Sequence, residues 1–355
     1  MAAAVLAVLL FLGGRALLGG DPVTSPSETV DPSVSAPAAS ASSPAPSASP
    51  STFGAVPAEL LDRDWLANDG ISWQVGTLGA GPKSTLPADE YALGVDAGLV
   101  LSIDAEIGST VFVREVDTGI LVDQMETNLQ IDDGVIRGDR FFLAGVVKDQ
   151  DAGVWAGRIG EVGLVQLIPG SEGPLQGDRG TFRTGIKLSP TGRTLASTVC
   201  VKPACVTQIS STDGGPVLTI ADSFARWVSE DFVLTTDSSL RAYGLDDGKL
   251  RWKLDDLRFW DGKLASDGRT LLAQAQSEDG NKEIWRVDTQ TGGHEVIAAL
   301  ADDQYLVSEL SNDRYVVVLA ASYLGDALAS GANFDVLDVT SGELVASQPF
   351  PRSLP

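Results

Sequence analysis

The chain has few of the side chains on which nucleophilic and metal-dependent catalysis usually depends. Its 355 residues include two cysteines and one histidine, His294, which follows Gly292-Gly293 in a segment typical of an exposed hairpin turn. A Ser-His-Asp relay could be built only around that histidine, and a zinc site needs more Cys and His ligands than these. No phosphate loop of the Walker or Rossmann kind is present. We therefore predict no enzymatic activity and no catalytic, metal-binding or cofactor-binding residues.

Basic residues are also scarce. Lys and Arg together number 25 against 48 Asp and Glu, which gives a formal net charge of −23 at pH 7. Nucleic acids and anionic lipid headgroups bind to basic patches, so this charge argues against both as partners of the globular region. It suits a soluble surface or a cationic partner.

The first residues are apolar. Residues 1–12 contain no polar side chain, and the apolar character resumes at 16–18 after Gly13-Gly14-Arg15. About 20 such residues can cross a bilayer as a helix, so we predict a transmembrane anchor over residues 1–19. A cleaved signal segment is the alternative. The rest of the chain would lie outside the cytoplasm in the first case and would be secreted in the second.

Residues 20–56 are rich in Pro, Ser and Ala, as in Ser35-Ala36-Pro37-Ala38-Ala39-Ser40. Such a segment buries too little apolar surface to offset the entropy lost on ordering. We predict a disordered linker that holds a domain, residues 57–355, away from a surface.

Beyond residue 70 the pattern is that of short strands, and it repeats. An Asp-and-Gly turn between two apolar runs recurs about every 45 residues, at Val116-Asp117-Thr118-Gly119, Leu245-Asp246-Asp247-Gly248, Val287–Gly292 and Leu337–Gly342. One such unit cannot bury its own apolar faces, so the units must lean on one another. The sequence therefore predicts an all-β fold, a β-propeller.

Grouping the strands in fours gives six blades of four strands. The blades span roughly 90–126, 127–170, 180–221, 223–255, 257–300 and 303–351. An isolated strand, Ile71–Val75, precedes them, and we expect it to pair with the last blade and close the ring, because closure removes open sheet edges. Seven blades result instead if residues 57–88 hide a partial blade.

One repeat resembles a known family. Leu240–Trp252 is similar to the pyrroloquinoline-quinone-like repeat of quinoprotein-type β-propellers, and the turn Ser189–Ala196 resembles those of WD40-like and TolB-like propellers. The resemblance implies a propeller over about residues 70–350, and both families include enzymes, scaffolds and assembly factors. A quinone-dependent dehydrogenase of this family is expected to carry adjacent cysteines. This chain has none, so we expect no quinone cofactor.

The two cysteines, Cys200 and Cys205, flank a short turn between candidate strands. Cysteines that face each other on a hairpin can reach disulfide distance, and an exported location would let the bond persist. We predict a structural disulfide, with free thiols as the alternative.

Three tryptophans, Trp73, Trp252 and Trp285, occupy similar positions in different repeats. They could form a platform for a ligand. Large rings also fill the wedge between neighbouring sheets, and we favour that packing role.

The recurring acids of the turns are Asp117, Asp246, Asp288 and Asp338. They could form a ring of carboxylates. Asp near the start of a turn usually accepts hydrogen bonds from backbone N–H groups two residues on, and we interpret all four as such caps.

The predicted function is that of a non-enzymatic binding or scaffold propeller outside the cytoplasm, which recognises a protein or a component of the cell envelope. Two alternatives stay open. One is an extracellular hydrolase or lyase that acts on sugars or lactones through carboxylates. The other is an envelope assembly factor. Carboxylates that converge in the central opening with raised pKa values would favour the hydrolase.

Overall fold

The computed structural model describes residues 54–68, 72–147, 152–169, 181–201, 204–221, 224–236, 239–255, 258–277, 279–320, 323–324, 327–328 and 333–349. The predicted N-terminal anchor and most of the predicted linker lie outside these ranges. Within them the chain is all-β apart from a 3-10 turn at Ala58–Leu60. Its strands form seven successive antiparallel sheets, here called blades 1 to 7 in chain order.

The first three blades precede residue 170. Blade 1 has three strands, β1 Asp64–Asn68, β2 Trp73–Thr77 and β3 Gly81–Thr85. Blade 2 comprises β4 Glu90–Asp96, β5 Leu99–Asp104, β6 Thr110–Glu115 and β7 Leu121–Glu126. Blade 3 comprises β8 Leu129–Arg137, β9 Arg140–Val147, β10 Ala152–Arg158 and β11 Val165–Ile168.

The other four blades follow the same meander. Blade 4 comprises β12 Thr181–Leu188, β13 Thr194–Val201, β14 Ala204–Ser211 and β15 Leu218–Ala221; blade 5 comprises β16 Ala225–Val228, β17 Phe232–Thr236, β18 Leu240–Gly244 and β19 Leu250–Leu254. Blade 6 comprises β20 Arg258–Leu264, β21 Thr270–Gln276, β22 Lys282–Asp288 and β23 His294–Leu300. Blade 7 comprises β24 Gln304–Leu306, β25 Tyr315–Ala320, β28 Asn333–Asp338 and β29 Leu344–Pro349, with a small hairpin, β26 Tyr323–Leu324 and β27 Ala327–Leu328, inserted after β25.

The second strand of each four-stranded blade is apolar along most of its length because it is covered on both faces. Successive side chains of a strand point to opposite faces. In β9, Phe141 packs against blade 2 and Phe142 packs against blade 4. In β21, Leu271 packs against blade 5 and Leu272 packs against blade 7. A continuous apolar run is therefore what a sheet between two other sheets requires.

Seven hydrophobic clusters hold the blades together. Each cluster combines buried residues of two blades, and the seven clusters account for every successive pair of blades. One of them joins the last blade to the first, where Leu60, Trp65 and Leu78 pack against Val317 and Val336. The molecule is thus a closed ring, and the predicted β-propeller is confirmed.

The predicted number of six blades is wrong, and the alternative of seven is correct. Trp73–Thr77 does not pair with the last blade: it is the middle strand of blade 1, between β1 and β3. The pattern concealed blade 1 because β1 is short and mixed in polarity, and β3 contains Pro82 and little apolar surface. The ring closes through side-chain packing, supplemented by a parallel bridge from Gly54 to Ala346 on the outermost strand of blade 7.

Blade 2 contains a buried ion pair that ties three of its strands together. Glu90 on β4 accepts a 2.6 Å hydrogen bond from the hydroxyl of Ser102 on β5 and a 2.5 Å bond from Arg114 on β6. The Glu90 side chain is 3% exposed. A charge so placed is stable only while its partner is present, because the unpaired ion would keep its full desolvation cost.

We expect Glu90→Gln to lower the free energy of unfolding by about 3 kcal/mol, because it leaves Arg114 buried without a counter-charge. Glu161→Gln is the matched control: it removes the exposed Arg158–Glu161 pair, 3.8 Å apart, and should cost less than about 1 kcal/mol. Urea denaturation of both variants measures the difference. Equal losses in the two variants would contradict the structural role of the Glu90 pair.

Candidate functional site

The first strands of blades 1 to 6 contact one another in succession, on the inner side of the ring. Five of them are interrupted by a register shift against the second strand, in blades 2, 3, 4, 5 and 6, within Ala92–Gly94, Ile131–Asp133, Thr184–Lys187, Ala225–Trp227 and Phe259–Asp261. A β-bulge of this kind redirects the side chains beside it, and bulges are frequent next to binding sites. Charged residues occupy the bulge in four of the five blades.

Asp133 joins blade 3 to blade 4. Its carboxylate accepts hydrogen bonds from the backbone N–H of Gly134, at 2.8 Å, and from that of Ile186 in blade 4, at 2.9 Å. Burial raises the pKa of Asp133, while Lys187 and the backbone donors oppose that rise. The N–H groups released by the bulge in blade 4 thus find their acceptor on the neighbouring blade, as buried backbone groups must.

Asp261 occupies the corresponding place in blade 6. Burial, and then the nearby Glu309 carboxylate, raise the pKa of Asp261 to about 8. The backbone N–H of Gly262, the ammonium of Lys187 and the hydroxyl of Ser308 act in the opposite direction. At neutral pH the carboxyl group of Asp261 therefore carries a proton, because desolvation disfavours its charged form.

Two cations of the inner strands are also perturbed. Burial lowers the pKa of Arg226 on β16, and Asp261 counteracts this when it is ionised. Burial lowers the pKa of Lys263 as well, helped by repulsion from Arg63 and opposed by Glu309. The residues Lys187, Arg226, Asp261, Ser308 and Glu309 are here called the axial cluster.

The axial cluster draws on four blades and combines both signs of charge with a protonated acid. It can hold a polar ligand by hydrogen bonds and charge, or it can transfer a proton. Within the described residues, no group of three or more His, Cys, Asp and Glu side chains is placed to hold a metal ion.

A concavity lies beside blades 1 and 2. Its volume is about 650 Å³, and it reaches Glu309 in blade 7. Burial raises the pKa of Asp64 in its wall, the N–H of Gly98 lowers it through a 2.9 Å hydrogen bond, and repulsion from Asp96, Asp117 and Asp62 raises it further. The charged side chains of the wall are Asp62, Arg63, Asp64, Lys83, Asp96, Asp117 and Glu309.

The structure joins Cys200 and Cys205 in the predicted disulfide. The two residues pair directly across β13 and β14, with their Cα atoms 4.0 Å apart. Cys200 is buried, and the disulfide links the second and third strands of blade 4 covalently.

All three singled-out tryptophans lie in clusters between blades. Trp73 is buried between blades 1 and 2, edge-on to Tyr91 at 5.3 Å. Trp252 and Trp285 are partly buried between blades 5 and 6, and the indole N–H of Trp252 donates to the carbonyl of Thr289 at 2.8 Å. None of the three belongs to the axial cluster.

The four Asp-Gly turns share one hydrogen-bonding pattern, but the predicted caps do not all occupy the same place in it. In each turn the N–H of the glycine donates to the carbonyl four residues earlier. In the turns that end at Gly292 and Gly342, that earlier residue is Asp288 or Asp338. The side chain of each caps its turn by accepting from the N–H groups two and three residues on.

The interpretation of Asp117 and Asp246 as caps needs correction. Each lies two residues before the glycine of its turn. The residue four before the glycine, which is the cap in the other two turns, is here Glu115 or Gly244. Asp117 instead forms an ion pair with Lys83 at 3.2 Å. Asp246 forms an ion pair with Arg251, and the neighbouring Asp247 accepts the hydrogen bond from the N–H of Lys249. The physical reason is that the N–H two residues beyond each of them, that of Gly119 or Gly248, already donates to the carbonyl of Glu115 or Gly244.

Sequence reasoning missed the axial cluster, although a signal was present. Asp133-Gly134 and Asp261-Gly262 place an Asp-Gly pair inside an inner strand, away from any turn. In both pairs the glycine N–H bonds the preceding carboxylate. A Cβ on Gly262 would come within 2.8 Å of the carbonyl of Leu272, so only glycine fits there. A charged residue and a glycine inside an apolar strand mark such a bulge.

No helix in the described ranges has the length and apolar character needed to cross a membrane.

No protein-family model matches the chain, and no curated protein matches it in sequence. Among solved structures, it is similar to a prolyl endopeptidase, with 10% identity and a TM-score of 0.56 over 81% of this chain and 50% of the peptidase. It is also similar to prolyl oligopeptidase B from Galerina marginata, with 10% identity and a TM-score of 0.53 over 83% of this chain and 52% of the other. BamB from Moraxella catarrhalis gives 13% identity and a TM-score of 0.45 over 80% of this chain and 84% of the other.

The chain spans about half the length of the two peptidases. At such low identity the likeness shows the fold alone. The class of protein is therefore an all-β propeller of seven blades.

The raised pKa of Asp261 makes stability depend on pH in a definite direction. The folded chain holds a proton that the unfolded chain releases above pH 3.8, so the free energy of unfolding falls as pH rises from about 4 towards 8. We expect Asp261→Asn to remove about 1 kcal/mol per pH unit of that decline. Guanidinium denaturation at pH 5, 6, 7 and 8 measures it.

The matched control is Asp279→Asn, which makes the same change of charge at an exposed turn. It should keep the wild-type dependence on pH. If Asp261→Asn followed the same curve as the wild type, the account of the buried carboxyl would be wrong.

Proposed function

We propose that the chain is a binding propeller outside the cytoplasm that holds a protein partner on the outer edges of blades 2 and 3. The observation that carries this proposal is an apolar surface there. Ile120, Leu121 and Val122 at the start of β7 are 62%, 41% and 44% exposed, and Val162 and Val165 near β11 are 105% and 67% exposed.

These five residues, here called the edge surface, belong to neighbouring blades that are directly connected. The side chain of Asp123 on β7 accepts a 2.8 Å hydrogen bond from the N–H of Gly160 in blade 3. Exposed apolar residues concentrated in one place usually mark a protein interface, whereas isolated ones are common on any surface. Leu250 and Val296, on the outer strands of blades 5 and 6, are such isolated residues.

The outer edge of β7 also offers backbone groups. Among the described residues β7 pairs only with β6, so its other edge has no strand beside it. In blade 7 the same edge already accepts a parallel contact, from Gly54 to Ala346. A partner that adds an extended apolar segment beside β7 would bury the edge surface and would also form hydrogen bonds with the backbone groups along the edge of β7.

Two features support a location outside the cytoplasm. The disulfide between Cys200 and Cys205 requires an oxidising compartment to persist. The apolar segment predicted over residues 1–19 would direct the chain out of the cytoplasm, and the Pro-rich segment after it would hold the propeller away from the membrane surface. We propose that this segment anchors the propeller to the membrane.

Site-specific photo-crosslinking in the living source cell tests the proposal. A photoreactive residue in place of Val122 or Val165 should give one discrete adduct whose mass exceeds that of the chain, and Leu121→Asp should reduce its yield at least tenfold. The control position is Val296, which is 48% exposed on the outer strand of blade 6 and should give no such adduct. Adducts of equal yield at all three positions, or none at Val122 and Val165, would refute the edge surface as a docking site.

An envelope assembly factor is the special case in which the captured partner is itself an envelope protein. Mass spectrometry of the adduct decides that case, because the partner's sequence then shows whether it is an envelope component.

The axial cluster favours a second candidate function, a hydrolase or lyase that acts on sugars or lactones. Asp261 is protonated near neutral pH and lies beside the carboxylate of Glu309, and acid–base hydrolysis uses two carboxyl groups whose environments differ in this way. We expect an enzyme of this kind to hydrolyse aryl glycosides or aryl lactones, and Glu309→Gln to lower kcat at least a hundredfold. Absence of turnover by the purified full chain between pH 5 and 9 would remove this candidate.

A further inference from the structure

We propose that the gap between blades 6 and 7 binds a neutral sugar, one hydroxyl group of which is held by the side chains of Asp261 and Gln274 together. The proposal is independent of the docking of a protein on the edge surface. It requires binding alone, so it also holds if the chain hydrolyses nothing. It rests on two buried polar atoms and on the aromatic rings beside them.

The first observation is an amide group of which only one end is bonded. Gln274 on β21 is 2% exposed, and its Oε1 atom accepts a 2.8 Å hydrogen bond from the N–H of Leu306 in blade 7. That contact fixes which end of the amide is the oxygen and which is the nitrogen. The Nε2 atom is buried and has no hydrogen-bond partner among the described residues. Buried polar atoms in native proteins are almost always paired, so this donor calls for an acceptor.

The second observation is that another such atom faces the first. Asp261 lies directly opposite Gln274 in the pairing of β20 with β21, so both side chains are on the face of blade 6 that is turned towards blade 7. The Oδ2 atom of Asp261 is also buried and also has no partner in the described part of the chain. The two atoms therefore do not bond to each other. One group placed between them can bond to both.

The chemistry of the two atoms indicates which group this is. The Nε2 atom of Gln274 only donates, whereas the carboxyl of Asp261 accepts when it is ionised and donates when it is protonated. A hydroxyl group suits both states, because it accepts from Gln274 and can either donate to Asp261 or accept from it. A carboxylate would suit only the protonated acid, and an ammonium group offers no acceptor to the amide. The geometry thus selects a hydroxyl.

The third observation is a pair of aromatic rings in the same gap. Lys282 lies opposite Gln276, two residues along β21 from Gln274, and so on the same face of the blade. The Nζ atom of Lys282 is 5.7 Å from the ring centre of Trp260 and 4.1 Å from that of Tyr305 in blade 7. Trp260 is 36% exposed, so its ring forms the solvent side of the gap.

These rings distinguish a sugar from a lone water molecule. A sugar ring carries hydroxyl groups at its rim and an apolar C–H surface on its face, and that surface can pack on an aromatic ring. Small-molecule sites combine a few fixed polar groups with such apolar walls. A sugar that rests on Trp260 can direct one hydroxyl inward to Asp261 and Gln274.

The test is calorimetric titration of the purified full chain at pH 7. The probes are the methyl glycosides of glucose, galactose and mannose, followed by the monodeoxy analogues of the sugar that binds. We expect one sugar to bind in a one-to-one ratio. The analogue without the inward hydroxyl should bind at least tenfold more weakly, because two buried polar atoms then lose their partner. The other analogues should lose less than threefold.

A pair of isosteric variants tests the buried amide. Gln274→Glu keeps an acceptor for the N–H of Leu306 but replaces the free donor by a second acceptor, so it should weaken binding at least tenfold. Gln276→Glu makes the same change two residues along the strand, where the Nε2 atom already donates to the carbonyl of Gly280 at 3.0 Å. It should change the affinity less than twofold.

A second pair tests the aromatic wall. Trp260→Ala should weaken binding at least tenfold, and Trp260→Phe, which keeps an aromatic face, should recover most of that loss.

Several results would overturn the proposal. Binding of none of the three sugars at millimolar concentration would mean that no sugar occupies the gap. Equal losses for all monodeoxy analogues, or wild-type affinity in Gln274→Glu, would show that no hydroxyl is held by the two buried atoms. If Gln274→Glu proves unfolded by circular dichroism, the comparison of Trp260→Ala with Trp260→Phe decides, and equal affinity of those two variants contradicts the site.

Discussion

The structure depends on one constraint: every blade must have both of its faces covered by other blades. A single four-stranded sheet with an apolar second strand exposes two apolar faces, and a linear stack of such sheets would still leave one at each end. Here the contact of Leu78 and Trp65 with Val317 and Val336 covers the last two faces with each other. Residues more than two hundred positions apart in the chain thus share one cluster. Each blade therefore stabilises its neighbours, because a blade on its own would expose both of its apolar faces.

That constraint also places the candidate sites. Closing a ring brings the first strands together around the axis. Five of the inner strands contain a bulge. A bulge leaves backbone N–H groups without a partner in the sheet, so a neighbouring group has to accept their hydrogen bonds. Asp133 accepts from an N–H of the neighbouring blade, whereas one oxygen of Asp261 has no hydrogen-bond partner among the residues that the structure describes. The outermost strands have the opposite property, because they end the sheets and expose both backbone and side chains, as at Leu121 and Val122.

The sequence predicted those features that depend on local chemistry. The disulfide was predictable because Cys200 and Cys205 flank a turn of four residues, and the propeller was predictable because turn and strand alternate regularly. The turns themselves were recognised, but the role of each acid depends on its distance from the glycine of the turn. Asp288 and Asp338 lie four residues before the glycine and cap their turns, whereas Asp117 and Asp246 lie two residues before it and do not. Blade 1 was counted as one closing strand because β1 is short and mixed in polarity, and its buried residues Trp65 and Ala67 pack against blade 7, far along the chain. The axial cluster depends on four blades meeting, which no local pattern encodes.

Amide hydrogen exchange in a variant of the closing contact tests the closed ring most directly. Trp65→Ala removes a large side chain from blade 1 in the cluster that joins it to blade 7. In a closed ring, protection should fall in Tyr315–Ala320 of blade 7 as much as in Trp73–Thr77 of blade 1, and less in Phe232–Thr236 on the far side. Unchanged protection at Tyr315–Ala320 would mean that the first and last blades do not support each other, and the account of the fold would be contradicted.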